Sequence, residues 1–466
     1  MSRKKIGLIA AGSLATLLLL AGAAAVLVLR STWFHEKIRA TVVETVETAT
    51  GGRAEIGSFQ FDWKEMRVEL RQFALHGSEP SDKPPLLRAA SVAVGLTIVS
   101  LLTRDVSVRY LDVRDPTVYL IIHPDGHTNI PEPRVKQHSE QTPFDTLVNL
   151  AIGRFSMQNG RFEVEGQTRT PFDARGRNLG AKFTYEFAAS RYRGDLSIQP
   201  LDLQWDGQTA LPLGVQMAVT LEKNRIGVSS ARLTTGESAV DFSGAVENLV
   251  SPRASFRYQA HAMAVDVSRH FRIRGLERGT AELRGNFEWA GASDYSLTGN
   301  LHALEVEFLQ SPVQLRNLRM NGALRVDAKG ANLSDVRLSG ESVNGGIRTP
   351  VEARIAGVTV HGKDLDLRGL SLQALGGGFA GEGRIEGYDR FHLRGALSGL
   401  DARRAVALYS RAPLPWDSLV SGPVEIEGSA RRSRDLRITA TLTLAPAQQG
   451  PPVRGQIAAT YDARTD

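Results

Sequence analysis

Alternation of apolar and polar residues, renewed from Arg53 to the region of Leu444, limits what this 466-residue chain can fold into more than any other feature. In "SFQFDW" (58–63) Phe59, Phe61 and Trp63 alternate with polar neighbours, and "SVAVGLTI" (91–98) sets Val92, Val94, Leu96 and Ile98 two apart. The period returns in "TVYLII" (117–122), "DLSIQPLDLQW" (195–205), "VQMAVTL" (215–221), "VEARIAGVTV" (351–360), "DLDLRGL" (364–370) and "DLRITATLTL" (435–444). A period of two sends successive side chains to opposite faces, so these segments predict β-strands with one apolar and one wet face. Long amphipathic helices are nearly missing: "FDTLVNLAI" (144–152) and "VDVSRHF" (265–271) offer one or two turns each.

Glycine punctuates the alternation in "VDFSGAVENL" (240–249), "AELRGNFEW" (281–289), "YSLTGNLHALEV" (295–306), "FAGEGRIEG" (379–387) and "FHLRGALSGL" (391–400). The spacing is too irregular for a consensus solenoid repeat. Glycine within a strand marks a bend or a close backbone approach, and a long sheet that curls needs such points. The expected fold is mainly β: an N-terminal transmembrane helix, then an elongated, curled, groove-like antiparallel sheet with a few short helices.

Residues 6–29, "IGLIAAGSLATLLLLAGAAAVLVL", carry no charge and are long enough to cross about 30 Å of hydrocarbon as a helix. The run exceeds the usual apolar core of a cleavable signal, although "AGAAA" offers a cleavage site; either way the chain after Arg30 is exported. Arg3, Lys4 and Lys5 place residues 1–5 in the cytoplasm, with Arg30, Lys37 and Arg39 weakening that contrast. Residues 30–50 then read as an amphipathic helix, with Phe34, Ile38, Val42 and Val46 at helical spacing. A first β region spans 51–133, a Pro-rich loop 134–143, and a long repetitive β region 144–466.

The chemistry visible in the sequence is sparse. With no cysteine, thiolate catalysis, thiolate metal sites and disulfides drop out. Lys and Arg number 56 against 50 Asp and Glu, and the basic residues are scattered; "ARRSRD" (430–435) is too short to be a nucleic-acid face. "GGGFAGEG" (376–383) lacks the closing Lys-Ser/Thr of a phosphate loop and reads as a bend between strands. His35, His76, His138, His261, His302, His361 and His392 lack metal-ligand spacing. No catalytic, cofactor or metal residue is assigned, and the chain is read as a non-enzyme.

"HPDGHTNIPEP" (123–133) is the one segment that invites a metal reading, since His123, Asp125 and His127 are ordinary ligand types. It follows "DPTVYLII", however, and Pro124, Asp125 and Gly126 favour a turn after a strand. A structural turn built on Pro124, Asp125, Gly126 and Asn129 is the expectation.

A surface that stays apolar for hundreds of residues must be covered by a second sheet, by its own curl, or by a hydrocarbon ligand. Acyl chains would gain stabilisation from area alone, at about 25 cal/mol per Å², and would leave no compact motif. The sequence leaves both a lipid groove and a filled sandwich open. Val215, Met217, Val219 and Leu221, with Val351, Ala353 and Ile355, are the candidate lipid-facing residues.

The N-terminal third resembles the AsmA-like proteins, and more particularly the TamB-related inner-membrane proteins of the translocation and assembly module. The likeness covers residues 1–166. It rests on the basic flank and span, "IGSFQFDW", Pro84 to Leu87 before a strand at 90–98, Pro116 and Val118 in the next, and a "DG-x-x-N" close at Asp125, Gly126 and Asn129. "FSMQNGRFEVEG" (155–166) resembles a strand, Asn-Gly turn, strand unit, with Asn159 and Gly160 at the turn. The resemblance implies a single-pass inner-membrane protein whose periplasmic β-groove moves phospholipids to the outer membrane or serves its biogenesis. The alternative is a scaffold for outer-membrane protein insertion that meets an outer-membrane assembly protein. Relative to longer members, the chain ends at "AATYDARTD" like a short member or an incomplete gene product.

Overall fold

The computed structural model describes residues 36–465, apart from 37–38, 41–42, 45, 49, 63, 101–104, 126, 132–147, 150, 168–170, 206–209, 272, 292, 311–312, 345, 388, 409–413, 430 and 448–450. The span expected at 6–29 and the loop at 134–143 lie outside the described residues. No helix among the described residues is long and apolar enough to cross a membrane. Contacts divide the chain into two compact units, Met1–Asn224 and Arg225–Asp466.

The first unit contains β1 (Arg53–Asp62), β2 (Arg67–His76), β3 (Leu87–Ser100), β4 (Asp105–Arg114), β5 (Thr117–Ile122), β6 (Arg154–Gly166), β7 (Phe172–Glu186), β8 (Arg191–Trp205) and β9 (Leu211–Glu222). Neighbours pair antiparallel except at β6, which runs parallel to both β4 and β5. Strands on either side of 134–143 therefore share one sheet, and the unit boundary falls at Asn224 instead. Helical residues between Glu36 and Thr50 cover the first strands: Val43 and Val46 pack on a core of Ile56, Leu70, Phe73 and Ala89. The Arg39 guanidinium donates to Ile56 O at 2.6 Å and Glu47 Oε1 accepts from Ala54 N at 3.0 Å, which fixes this cover.

A crease crosses this unit, and it changes how the alternation must be read. Inward residues run Ala54, Ile56 and then Phe59, Phe61; Val68, Leu70 and then Phe73, Leu75; Ala174, Gly176 and then Leu179, Ala181. At each break the period slips by one residue; Gln72 (φ 52°) and Asn178 (φ 53°) take left-handed backbone at the breaks in β2 and β7, as do Asp115 (φ 48°) between β4 and β5 and Asn159 (φ 55°) in β6. Asn and Asp tolerate that region better than other side chains, so the polar residues serve as bends. Asn159 and Gly160 are accordingly not a hairpin turn, which corrects the expectation. They lie inside β6, with Asp115 N donating to Gln158 O at 3.0 Å and Arg161 N to Pro116 O at 2.7 Å across the crease.

The second unit is a sequential antiparallel meander. Its strands are β10 (Arg225–Thr235), β11 (Ser238–Glu247), β12 (Arg253–Met263), β13 (Leu276–Gly291), β14 (Asp294–Gln310), β15 (Val313–Asp327), β16 (Gly330–Asn344), β17 (Ile347–His361), β18 (Asp364–Ala374), β19 (Gly377–Glu386), β20 (Arg390–Asp401), β21 (Ser418–Ser429), β22 (Arg437–Pro446) and β23 (Gly455–Asp462). Helix α1 (Ala264–Phe271) follows β12, and α2 (Ala402–Ala407), capped by the Asp401 carboxylate on Arg404 N, follows β20. Phase slips recur at Glu305, Asn317 and Asp335, each with φ near +50°, and at Gly369. "GGGFAGEG" has its bend at Gly376, next to Leu375, both with positive φ, and the remainder lies in strand β19.

Most glycines that punctuate the alternation are not the bends. Gly244, Gly285, Gly381 and Gly395 stand where an added Cβ would collide with a carbonyl oxygen of the neighbouring strand. Several glycines also face an aromatic partner directly across the ladder: Gly95 with Tyr110, Gly176 with Phe162, Gly194 with Phe183, Gly244 with Phe256, Gly285 with Tyr258, Gly428 with Phe391. The ring supplies the packing that glycine cannot, the pairing known from curved sheets as aromatic rescue.

Candidate functional site: an uncharged face of the second unit

The register brings apolar residues into rows that cross the strands. Ala231, Phe242, Tyr258, Gly285, Gly299 and Leu324 stand side by side from β10 to β15. Leu333, Val358, Leu367, Gly383 and Leu393 continue the row to β20, and Ile426, Ile438 and Tyr461 carry it to β23. A second row runs Ala262, Ala281, Ala303, Met320, Leu338, Ala353, Leu372, Phe379 and Leu397 from β12 to β20. Neither row contains a charge. At about 4.8 Å per strand, the longer one extends roughly 60 Å.

Most of these side chains are neither core nor surface. From Phe242 to Ile438 every member of the first row is half-buried. The opposite face carries the charges, in exposed pairs such as Arg284–Glu282 at 3.0 Å and Arg384–Glu386 at 3.3 Å, which contribute little stability each. A single sheet thus presents one wet face and one uncharged, incompletely covered face.

Both margins of that face carry charges, and exposed apolar side chains gather at one of them. Connections at one end include α1, Asn344–Ile347 and α2, and there stand the exposed Val265, Ile273, Leu304, Ile347 and Leu419. At the other end the connections hold Asp294, Lys329, Lys363, Asp389 and Arg431, with Val250 the exposed large apolar residue. Asp266, 3% exposed, pins α1 by accepting from Glu237 N at 2.9 Å, Ser238 N at 3.0 Å and Ser238 Oγ at 2.7 Å. Burial works to raise its pKa, and these hydrogen bonds overcome that and leave it lowered.

The residues picked from the sequence fall in both units. Val351, Ala353 and Ile355 lie half-buried on the uncharged face of β17, Ala353 in the second row. Val215, Met217, Val219 and Leu221 share one face of β9 in the first unit, opposite Ile198, Leu196, Gly194 and Tyr192. Val215 and Val219 are each only 6% exposed. Sequence reasoning missed the cross-strand continuity, because a row joins residues from different strands and leaves no local pattern. It also missed α2, for which Asp401 before "ARRAVA" is the available capping signal.

The His-containing segment is a turn with Asn129 as its anchor. His123 N donates to His127 O at 2.8 Å, and His127 N to Asp125 Oδ1 at 3.0 Å. That backbone hydrogen bond, with burial opposing it and the His127 ring adding to it, holds the Asp125 carboxyl below its usual range. Asn129 is fully buried: its Oδ1 accepts from Ile121 N and its Nδ2 donates to Tyr119 O, both at 2.9 Å, closing the edge of β5. The His127 side chain is 82% exposed, and Gly126 lies outside the described residues. Among the described residues, no group of three His, Asp or Glu is gathered as a metal ion would require.

A scan against protein-family models gives no match, and neither does a search of the curated proteins.

Proposed function

We propose that this chain is a membrane-anchored envelope protein whose second unit carries phospholipid acyl chains along its uncharged face, in transport to, or biogenesis of, the outer membrane. The observation that carries this reading is the first row: uncharged from β10 to β23 and half-buried through most of its length. An apolar surface of that extent is larger than a monomer ordinarily leaves open, and hydrocarbon would cover it without specific polar contacts. The margin with Val265, Leu304 and Ile347 offers exposed apolar side chains for acyl chains to enter past, and the charged groups beside them suit headgroups in water. The N-terminal resemblance to AsmA-like proteins, and the uncharged run at 6–29, support an inner-membrane anchor with the bulk of the chain in the periplasm.

The test is lipid mass spectrometry on residues 31–466 purified from a diderm host, beside the Leu367→Asp variant. Wild type should carry phospholipid. Leu367→Asp should lose it with little change in melting, because the carboxylate on a half-open face keeps access to water. Wild type that never carries lipid defeats the proposal and leaves a protein-assembly scaffold as the better account.

A further inference from the structure

The two ends of the first unit's sheet differ in charge. At one end β1, β7 and β9 finish and β4, β6 and β8 begin, and Arg67, Gly95, Tyr110, Arg154, Thr184 and Arg193 cross it as one row from β2 to β8. Beyond the row the β7–β8 connection projects as Phe187, Ala188, Ala189 and Ser190, all exposed, with Phe187 at 70%. Its base is firm: the Phe187 ring meets Tyr185 edge-on with centroids 5.0 Å apart, and Tyr185 packs on the buried Tyr192 at 4.9 Å. One exposed aromatic by itself needs no explanation. Around this one, however, the exposed charges among the described residues at or beyond the row are Lys64, Arg109, Arg154, Arg193 and Lys223 against Asp62 and Glu65.

Pairing within this end is partial. Arg191 bridges the half-buried Glu186 and Glu222 at 2.7 and 3.5 Å, Arg193 stands 3.3 Å from Glu186, and Arg154 stands 3.8 Å from Asp112, so cations stay in excess at the surface. The guanidinium groups of Arg109 and Arg154 lie 5.3 and 5.4 Å from the centre of the Tyr110 ring, which positions both beside the tip. The opposite end also exposes an apolar residue, Ile130 at 56%, but beside Glu55, Asp82 and Asp125 as well as Arg53 and Arg88. The covering helical turns show which end the preceding chain approaches. From Glu47, at Ala54 N, back to Arg39, at Ile56 O, their contacts move forward along β1, so Glu36 lies toward the cationic end. The uncharged run at 6–29 stands just upstream of it in the sequence. A protruding aromatic ringed by cations matches an anionic lipid surface, where the ring enters the interface and the cations are drawn to the headgroups. We infer that this end of the first unit docks on an anionic phospholipid bilayer through Phe187 and the Lys and Arg side chains around it, an inference that rests on the membrane-anchored reading above.

The chain has no cysteine, so a single labelling site can be placed at either end of the unit. The full-length protein is reconstituted in vesicles of phosphatidylethanolamine and phosphatidylglycerol, with an environment-sensitive dye on Phe187→Cys or, for the opposite end, Ile130→Cys. The dye at 187 should shift to shorter wavelength and be quenched by brominated lipid, and the dye at 130 should stay in water. Adding Lys64→Glu and Lys223→Glu, both exposed turn positions, should cut the quenching at 187 several-fold while the protein still floats with the vesicles. Flotation with an unquenched dye at 187 overturns the docking and leaves the anchor standing, whereas a full-length chain that does not float overturns both. A blue shift without quenching means that another protein surface covers the tip, and equal quenching at 130 and 187 means that the dyes report carried lipid; either result overturns the inference. Quenching at 187 that is unchanged by the two charge reversals overturns the role given to the cations.

Discussion

The two units are built from the same kind of strand, yet one closes cores beneath covering segments and the other, apart from a cluster of Ala402, Val420 and Leu444 by α2, leaves its apolar face half open. In the first, Ile56 and Ile121 are 2% exposed and Val148 is fully buried. Segments outside the sheet do this: helical turns before β1 set Val43 and Val46 over Ile56, while Val148 and Ile152 pack against Tyr192, whose hydroxyl accepts from Ile152 N at 2.7 Å. In the second unit the helices α1 and α2 stand at one margin only. The difference teaches that alternation decides which face is apolar, and that a covering segment decides whether this face becomes a core.

The comparison breaks most visibly under charge. Val219→Asp buries a carboxyl in a well-covered part of the first unit and should cost on the order of 4 kcal/mol, read as loss of the cooperative melt. Ile355→Asp, on the half-open face, should leave melting nearly intact. Equal losses at the two sites would show that the second face is also a filled core.

Truncation sharpens the same contrast at smaller scale. Ile56→Ala should cost about 2–5 kcal/mol by denaturant titration, whereas Ile355→Ala, already half exposed, should cost about 1 kcal/mol. At the turn, Asn129→Ala leaves Ile121 N and Tyr119 O unpaired and should cost about 2–4 kcal/mol. Replacing His123 and His127 together by Asn should stay within about 0.5 kcal/mol, since neither ring supports the buried anchor.

The smallest effect is electrostatic. Glu165 accepts from the Tyr119 hydroxyl at 2.6 Å, from the Gln167 amide at 2.9 Å and from Lys83 at 3.0 Å, contacts that lower its pKa to about 2 and raise that of Lys83. A depressed carboxyl pKa gives stability that is present above its ordinary value of 4.5 and is lost as pH falls toward about 2. Melting of wild type and Glu165→Gln should therefore differ at neutral pH and converge across that window. A gap that stays constant would place the contribution elsewhere.

Strand identity was legible because a period of two needs only local sequence. The creases were legible in principle, as places where apolar residues stand three apart around Asn159, Asn178 or Asn317, but each slip resembles a turn until its neighbours are known. Asn159 and Gly160 misled for that reason: Asn-Gly is a strong hairpin signal, and only pairing with β4 and β5 makes it a mid-strand bend. Ala89, 1% exposed, was invisible as core because a methyl group carries little hydropathy. The turn at 123–129 was legible from Pro124 and Asp125, while the weight borne by Asn129 depends on the edge it closes. The uncharged rows depend on register, which a single strand does not encode.

Sequential pairing in the second unit has a kinetic and evolutionary consequence. Each strand from β11 to β22 bonds to the strand before and the strand after, so contacts form between segments close in the chain, and the sheet can grow from any completed hairpin. Its stability approximates a sum of nearest-neighbour terms, as in repeat proteins. Duplicating or deleting one hairpin would change the length of the uncharged face by about 10 Å while leaving the pairing on either side intact. A sheet of this kind can be fitted to a distance by counting hairpins, with no redesign of what it already holds.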